Sequence, residues 1–197
     1  MPNPTPHVLP DASTAPAPAR TATPDAPATA VTPPALCAFD RLNTAADGAA
    51  EAALLACCGS RRWARRIVTH RPYPTLEALL AEADEASHAL TPRDLTEALA
   101  DESALQHALC GARSPGPPVA HTALRAAHAA YESKFGHVFV YCLQNVPEEE
   151  VVGHVLAAIR ARLGHAEEAE REVAAEELRR IARGRLAHLA STTPHSP

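Results

Sequence analysis

The sequence predicts an all-α fold: a single-domain compact helical bundle behind a disordered Pro/Ala/Thr-rich N-terminal tail. Three observations point there. Apolar residues recur at helical spacing through most of the chain beyond residue 34. Ser, Thr and Pro stand where helices would begin, and glycines stand where they would end. The one uninterrupted apolar run, Val138 to Leu143, follows a glycine stop and reads as an extended entry into the core.

Residues 1 to 34 hold ten of the nineteen prolines, with Ala and Thr between them. Such a segment cannot bury enough apolar surface to offset the entropy of ordering it, so disorder is expected. It is read either as a tether or as an extension without a role. Residues 191 to 197 are expected to be disordered as well, leaving residues 35 to 190 as one helical domain.

The elements follow in order. Leu36, Phe39 and Leu42 recur at three-residue steps within Ala35–Asn43, a short helical face. Ala49–Cys58 is alanine-rich, carries Leu54 and Leu55, and stops at Gly59. Ser60 is placed to cap a helix holding Trp63, Ile67 and Val68. Arg61, Arg62, Arg65 and Arg66 lie on that helix, and in an acidic chain they read as a solvated face, not a nucleic-acid patch. Arg71-Pro72-Tyr73-Pro74 is a loop, since each proline pushes the residue before it out of helical geometry. Thr75 caps the next helix, with Leu76, Leu79, Leu80, Ala83 and Leu90 on one side. Thr91-Pro92-Arg93-Asp94 restarts the chain: an N-cap, a proline at the first helical position, and an acid three residues after the cap. Leu95, Leu99 and Glu102 then fall within about 60° of one another, so an acid shares a face with two core leucines.

Ala112–Pro118 is a flexible loop, and a helix resumes near His121 and runs through Leu124, His128 and Tyr131 to Phe135. Gly136 breaks it, and the apolar run follows. Asn145-Val146-Pro147 with three glutamates marks another start, the acids favoured by the helix dipole. Val151, Val155, Ile159 and Leu163 stripe that helix, with Arg162 at the stripe's edge, and Gly164 closes it. The final helix runs from Glu167 to about Leu189.

Composition narrows the function classes. A net charge of −5 excludes a broad electrostatic footprint for nucleic acid. No apolar run approaches the roughly 20 residues that span a bilayer, and no basic start with an apolar core marks a secretory signal. The five cysteines lack paired spacing, so they read as reduced thiols of a cytoplasmic protein, and no ligand spacing supports a metal site. Nothing matches a phosphate loop, a nucleophile elbow or an HExxH helix, and His128 and His137 read as hydrogen-bonded or exposed residues rather than catalysts.

One residue breaks the pattern of the last helix. At 100° per residue, Ala174, Leu178, Ile181, Ala182 and Leu189 form one stripe, and Arg185 projects near its middle. A guanidinium taken out of water needs an anion. An internal salt bridge to Glu102 or a ligand carboxylate meets that need, and a side chain snorkelling at the helix end avoids it.

Three pieces, CCGSRRWARRIVTHRPY, AAYESKFGHVFVYC and IRARLGHAEEAEREVAAEELRRIARGRL, together resemble the 2-oxo-4-hydroxy-4-carboxy-5-ureidoimidazoline (OHCU) decarboxylases of urate breakdown. The resemblance covers residues 36 to 190. It implies an all-helical carboxy-lyase that needs neither metal nor organic cofactor. Such an enzyme turns OHCU into (S)-allantoin, with loss of carbon dioxide and stereospecific proton delivery in a dry pocket. The implied ligand is a small anionic ureide, with no nucleic acid or membrane partner and with homodimer formation allowed.

On this resemblance Arg185 matches the substrate-binding arginine, and Phe139, Tyr141, Cys142 and Leu143 match the run that lines the pocket. Arg162 joins them as a substrate-binding expectation. The family's His-Pro pair aligns with Glu102-Ser103, which makes Glu102 the candidate catalytic proton shuttle. The family's Glu-Gln pair has no counterpart, its region being replaced by ARSPGPP and the residues after it. A non-catalytic relative binding a ureide-like ligand or a partner protein is the alternative.

Overall fold

The structure is a computed structural model, and it describes residues 36–110, 118–144 and 146–191, with the side chains of 103–110 and 118–121 not described. The expected tail, the Ala112–Pro118 loop apart from Pro118, and residues 192–197 lie outside the described residues. Eight α-helices and one 3₁₀ turn make up the described chain, with no strand among them.

Helix starts follow their caps. α1 (Ala38–Thr44) is capped by Cys37, whose Sγ accepts from the Asp40 N–H at 3.4 Å. α2 spans Asp47–Leu55. It ends three residues earlier than its alanine content suggests, because the N–H groups of Cys57 and Cys58 both turn back to the Leu54 carbonyl, at 2.9 and 3.1 Å. α3 (Arg61–Thr69) starts where Ser60 Oγ accepts from the Trp63 N–H at 3.3 Å, and α4 (Leu76–His88) where Thr75 Oγ1 accepts from the Ala78 N–H at 3.1 Å. α5 (Pro92–Cys110) has a reciprocal cap: the Thr91 N–H donates to Asp94 Oδ2 at 2.9 Å, and the Asp94 N–H donates to Thr91 Oγ1 at 3.3 Å.

Of the four arginines of α3, three are largely exposed and Arg66 is partly covered, and each meets an acid. Arg61 pairs with Glu97, Arg62 with Asp94, Arg65 with Glu51 and Arg66 with Glu82. The Arg71–Tyr73 loop fastens the first helices. Arg71 donates to the carbonyls of Leu42 and Ala45 and to Asp47, while the Asn43 carboxamide exchanges two hydrogen bonds with the Tyr73 backbone. These contacts satisfy carbonyls that the end of α1 leaves without helical partners.

α8 (Glu167–Ser191) packs along α1 and α4 and presents Ala174, Leu178, Ala182, Leu186 and Ala190 to the main core, a row at four-residue steps. Trp63, Ile67, Leu79 and Leu99 fill the other side, and Trp63 Nε1 donates to the Ala83 carbonyl at 3.0 Å. Ile181 and Leu189, expected in the stripe, flank this row, and Leu186 lies in it instead.

A second cluster joins α6 (Pro118–Phe135) to α7 (Val151–Arg162) around Tyr131, Phe139, Val155 and Ile159. Between these helices the chain turns at Gly136, whose φ of 73° is the left-handed region that glycine enters without a Cβ clash. Val138 to Leu143 then runs without helix or strand, with Val138, Phe139 and Val140 buried and Leu143 exposed. A 3₁₀ turn, Glu148–Glu150, leads into α7.

Candidate functional site

Four segments meet around a cleft of about 780 Å³. α2 and the turn after it bring Ala53, Ala56 and Cys57, and α5 brings Glu102. The irregular run after Gly136 brings Val140 to Gln144, and α8 brings Ile181, Gly184, Arg185, His188 and Leu189. The cleft opens to solvent, whereas the sequence reading expected an enclosed, dry pocket.

Glu102 and Arg185 form its charged centre. Glu102 is buried, on the same inward face as Leu95 and Leu99. Arg185 Nη2 donates to Glu102 Oε2 at 3.0 Å, and Nη1 donates to Oε1 in a parallel hydrogen bond. Nη1 also approaches the Cys57 carbonyl at 3.4 Å, which the early end of α2 has turned toward it. The Arg185 side chain remains 33% exposed, on the flank of the α8 core row and not in its middle. Its pKa is raised, chiefly by the hydrogen bonds to Glu102, with burial opposing. Burial pushes the Cys57 and Cys58 thiols up to about 11, so both are protonated at neutral pH and neither offers a thiolate there.

The opposite wall is pinned from behind. The Cys142 N–H donates to Glu177 Oε2 on α8 at 2.7 Å, and Arg162 Nη1 donates to the Val140 carbonyl at 2.7 Å. Arg162 is itself held in a buried network. Its Nε donates to Glu170 Oε1 at 2.7 Å, its Nη2 approaches Tyr131 Oη at 3.2 Å, the Tyr131 hydroxyl donates to Glu170 Oε1, and His165 Nδ1 meets Glu170 Oε2 at 2.8 Å. Burial pushes the Glu170 carboxyl up, but the hydrogen bonds and charge of Arg162, with the hydrogen bonds of Tyr131 and His165, outweigh it and hold the group below 4.5.

The structure therefore brings together Glu102, Arg185, Tyr141, Cys142 and Leu143 at the cleft, and it leaves Arg162 and Phe139 out of the lining. Arg162 faces the core because Glu170 gives it a buried counter-charge, and Phe139 is buried in the second cluster, where it packs edge-on against Tyr131. His128 packs edge-on against Phe139, and burial lowers its pKa. Neither it nor His137 lines the cleft.

Sequence reading missed Gln144 and His188. His188 lies three residues beyond Arg185, a spacing that places both on one side of a helix. Gln144 carried no signal beyond its place at the end of the apolar run. Among the described residues no group of three or more His, Cys, Asp or Glu side chains is placed to hold a metal ion.

Residues 43–187 match the sequence model of the family described as OHCU decarboxylase. The chain belongs to the OHCU decarboxylase family. Two solved structures share its fold. One, an OHCU decarboxylase crystallised in the presence of (S)-allantoin, is 25% identical over 70% of this chain and 96% of that one, with a TM-score of 0.55. The other, an (S)-allantoin synthase, is 19% identical with a TM-score of 0.56, a likeness of fold alone. That match covers 78% of this chain and 54% of the synthase, so the chain spans about half the length of that protein. A comparison with curated proteins finds no match. The family comprises cofactor-independent carboxy-lyases acting on a small ureide. No described helix of this member is long and apolar enough to cross a membrane.

Proposed function

We propose that this family member is a cytoplasmic carboxy-lyase that converts OHCU to (S)-allantoin, with Arg185 and Glu102 as its working pair. The observation that carries this reading is the Arg185 guanidinium in a cleft facing the Val140–Gln144 wall, where the family resemblance puts the substrate-binding arginine.

The substrate carboxylate has the same planar fork acceptor as Glu102, so it can take Glu102's place on the guanidinium. Displaced from the guanidinium by the substrate anion, Glu102 serves as the proton carrier, holding the one proton that each turnover consumes. The carbon–carbon bond to the substrate carboxylate then breaks. Carbon dioxide departs, the bonding pair stays on the ring, and the Glu102 proton is delivered to ring carbon. Glu102 returns to its ionised form and re-pairs with Arg185. One proton enters and one carbon dioxide leaves per turnover. The wall held by Glu177 and Arg162 fixes the face from which the proton arrives, which stereospecific product requires.

A second reading, a homologue that binds a ureide-like ligand without turnover, is favoured by one observation. Glu102 already fills the Arg185 fork, at the position the resemblance gives to the family's histidine. A stereospecific allantoin assay with freshly generated OHCU separates the two. Turnover by the native chain that is lost in Arg185→Ala supports the enzyme. Saturable binding of a ureido-carboxylate without turnover supports the binder, and the absence of both removes both readings.

A further inference from the structure

We infer that Gln144 is the specificity-determining residue of this cleft, selecting ligands that carry a ureide group beside their carboxylate, and that Gly184 is what admits it. The inference rests on the reading of Arg185 as an anion site and names the rest of the ligand.

Gly184 sits inside α8, where helix propensity favours alanine. A methyl at this position would collide with the Gln144 carboxamide, meeting Nε2 and placing Cδ at 2.9 Å. The close approach of that carboxamide to the helix backbone therefore requires the glycine. Both residues line the cleft, and Arg185 follows Gly184 directly. The carboxamide at the end of the facing wall is thus brought against the α8 position directly before the Arg185 fork.

A carboxamide has one acceptor oxygen and two N–H donors, the complement of a ureide's N–H donors and carbonyl. Ala53, Ala56, Ile181 and Leu189 supply much of the remaining lining and match nothing polar. A ligand with a polar neutral arm is therefore satisfied best at Gln144, and an aliphatic arm gains nothing there.

The test uses the full chain and two stable anions of similar shape, N-carbamoylglycine and 4-methylpentanoate, titrated calorimetrically. The native protein is expected to bind the ureide about tenfold more tightly. Gln144→Ala and Gly184→Ala should each abolish that preference while leaving 4-methylpentanoate affinity unchanged. The double variant should lose no more than either single one, because both remove the same contact. Gly184→Ala should remain folded, since what it displaces is the end of an exposed, flexible side chain.

A preference that survives Gln144→Ala overturns the inference, and its loss in His188→Ala instead moves the role to His188. Equal binding of both anions, abolished by Arg185→Ala, also overturns it but leaves the anion site standing. Binding of neither anion by the native chain removes the anion site and this inference with it.

Discussion

Arg185 and Glu102, 83 residues apart in sequence, meet through two parallel hydrogen bonds at the charged centre of the cleft, with the carboxylate buried and the guanidinium one-third exposed. Whatever anion enters must compete with that carboxylate.

This competition gives opposite signs to two substitutions. Arg185→Ala should abolish binding of a ureido-carboxylate and cost about 1–3 kcal/mol of stability, because it leaves the Glu102 carboxylate without its donor. Glu102→Gln should strengthen ligand binding, since a neutral carboxamide competes less for the fork than a carboxylate, yet lower turnover by about 10²–10⁴ if Glu102 carries the proton. Calorimetry and the stereospecific allantoin assay read the two effects separately. Unchanged turnover in Glu102→Gln would end its role as proton carrier.

Arg162 works from behind the wall. Arg162→Ala leaves Glu170 buried and charged without its cation, a loss of about 3–5 kcal/mol in urea unfolding. Arg162→Met combined with Glu170→Gln should recover part of that loss, because no unpaired charge remains. Both variants release the Val140 carbonyl, so ligand affinity should fall even where stability is regained.

Acid should reveal a second pair. The hydrogen bond from Arg179 holds the Glu176 carboxyl down to about 2, against a smaller effect of burial. Below 4.5 the unfolded chain binds this proton more readily than the folded one, so the contribution is complete above about pH 4.5 and disappears as pH falls through 2. The carboxylate is 38% exposed, so solvent limits the gain to less than about 1 kcal/mol. Thermal melts of Glu176→Gln should show a constant small deficit at neutral pH that vanishes near pH 2. A deficit that persists there would assign the effect to packing.

Gly136→Ala isolates a backbone effect, because nothing lies within 4 Å of the added Cβ. The positive φ alone should cost about 1–2 kcal/mol, and Gly136→Asn should cost less. Chemical denaturation of both variants checks the order. Equal losses would mean that the turn relaxes to negative φ.

The helices and the inward face of Glu102 were legible because each depends on a local pattern: Thr91 with Asp94 three residues on, or Leu95, Leu99 and Glu102 on one side of a turn. Arg185 was legible as an anomaly, with Glu102 among its candidate partners. Arg162 and Glu170 were not, because a buried ion pair is two anomalies that excuse each other only once α7 and α8 are placed. Glu170 stood among first-turn acids that the helix dipole already explains. Gln144 was invisible for a similar reason: its position depends on how closely the chain approaches α8 at Gly184, and no periodicity encodes that distance.

α8 turns one row of side chains into the interior and an adjoining row, from Ile181 through Gly184 and Arg185 to His188, toward the opening. The helix itself fixes the angle between the two rows. Evolution can therefore exchange residues on the outer row and change what the protein recognises while Leu178, Ala182 and Leu186 keep the scaffold in register. Relatives with different appetites for small molecules should differ there first, and their backbones should superimpose through the change.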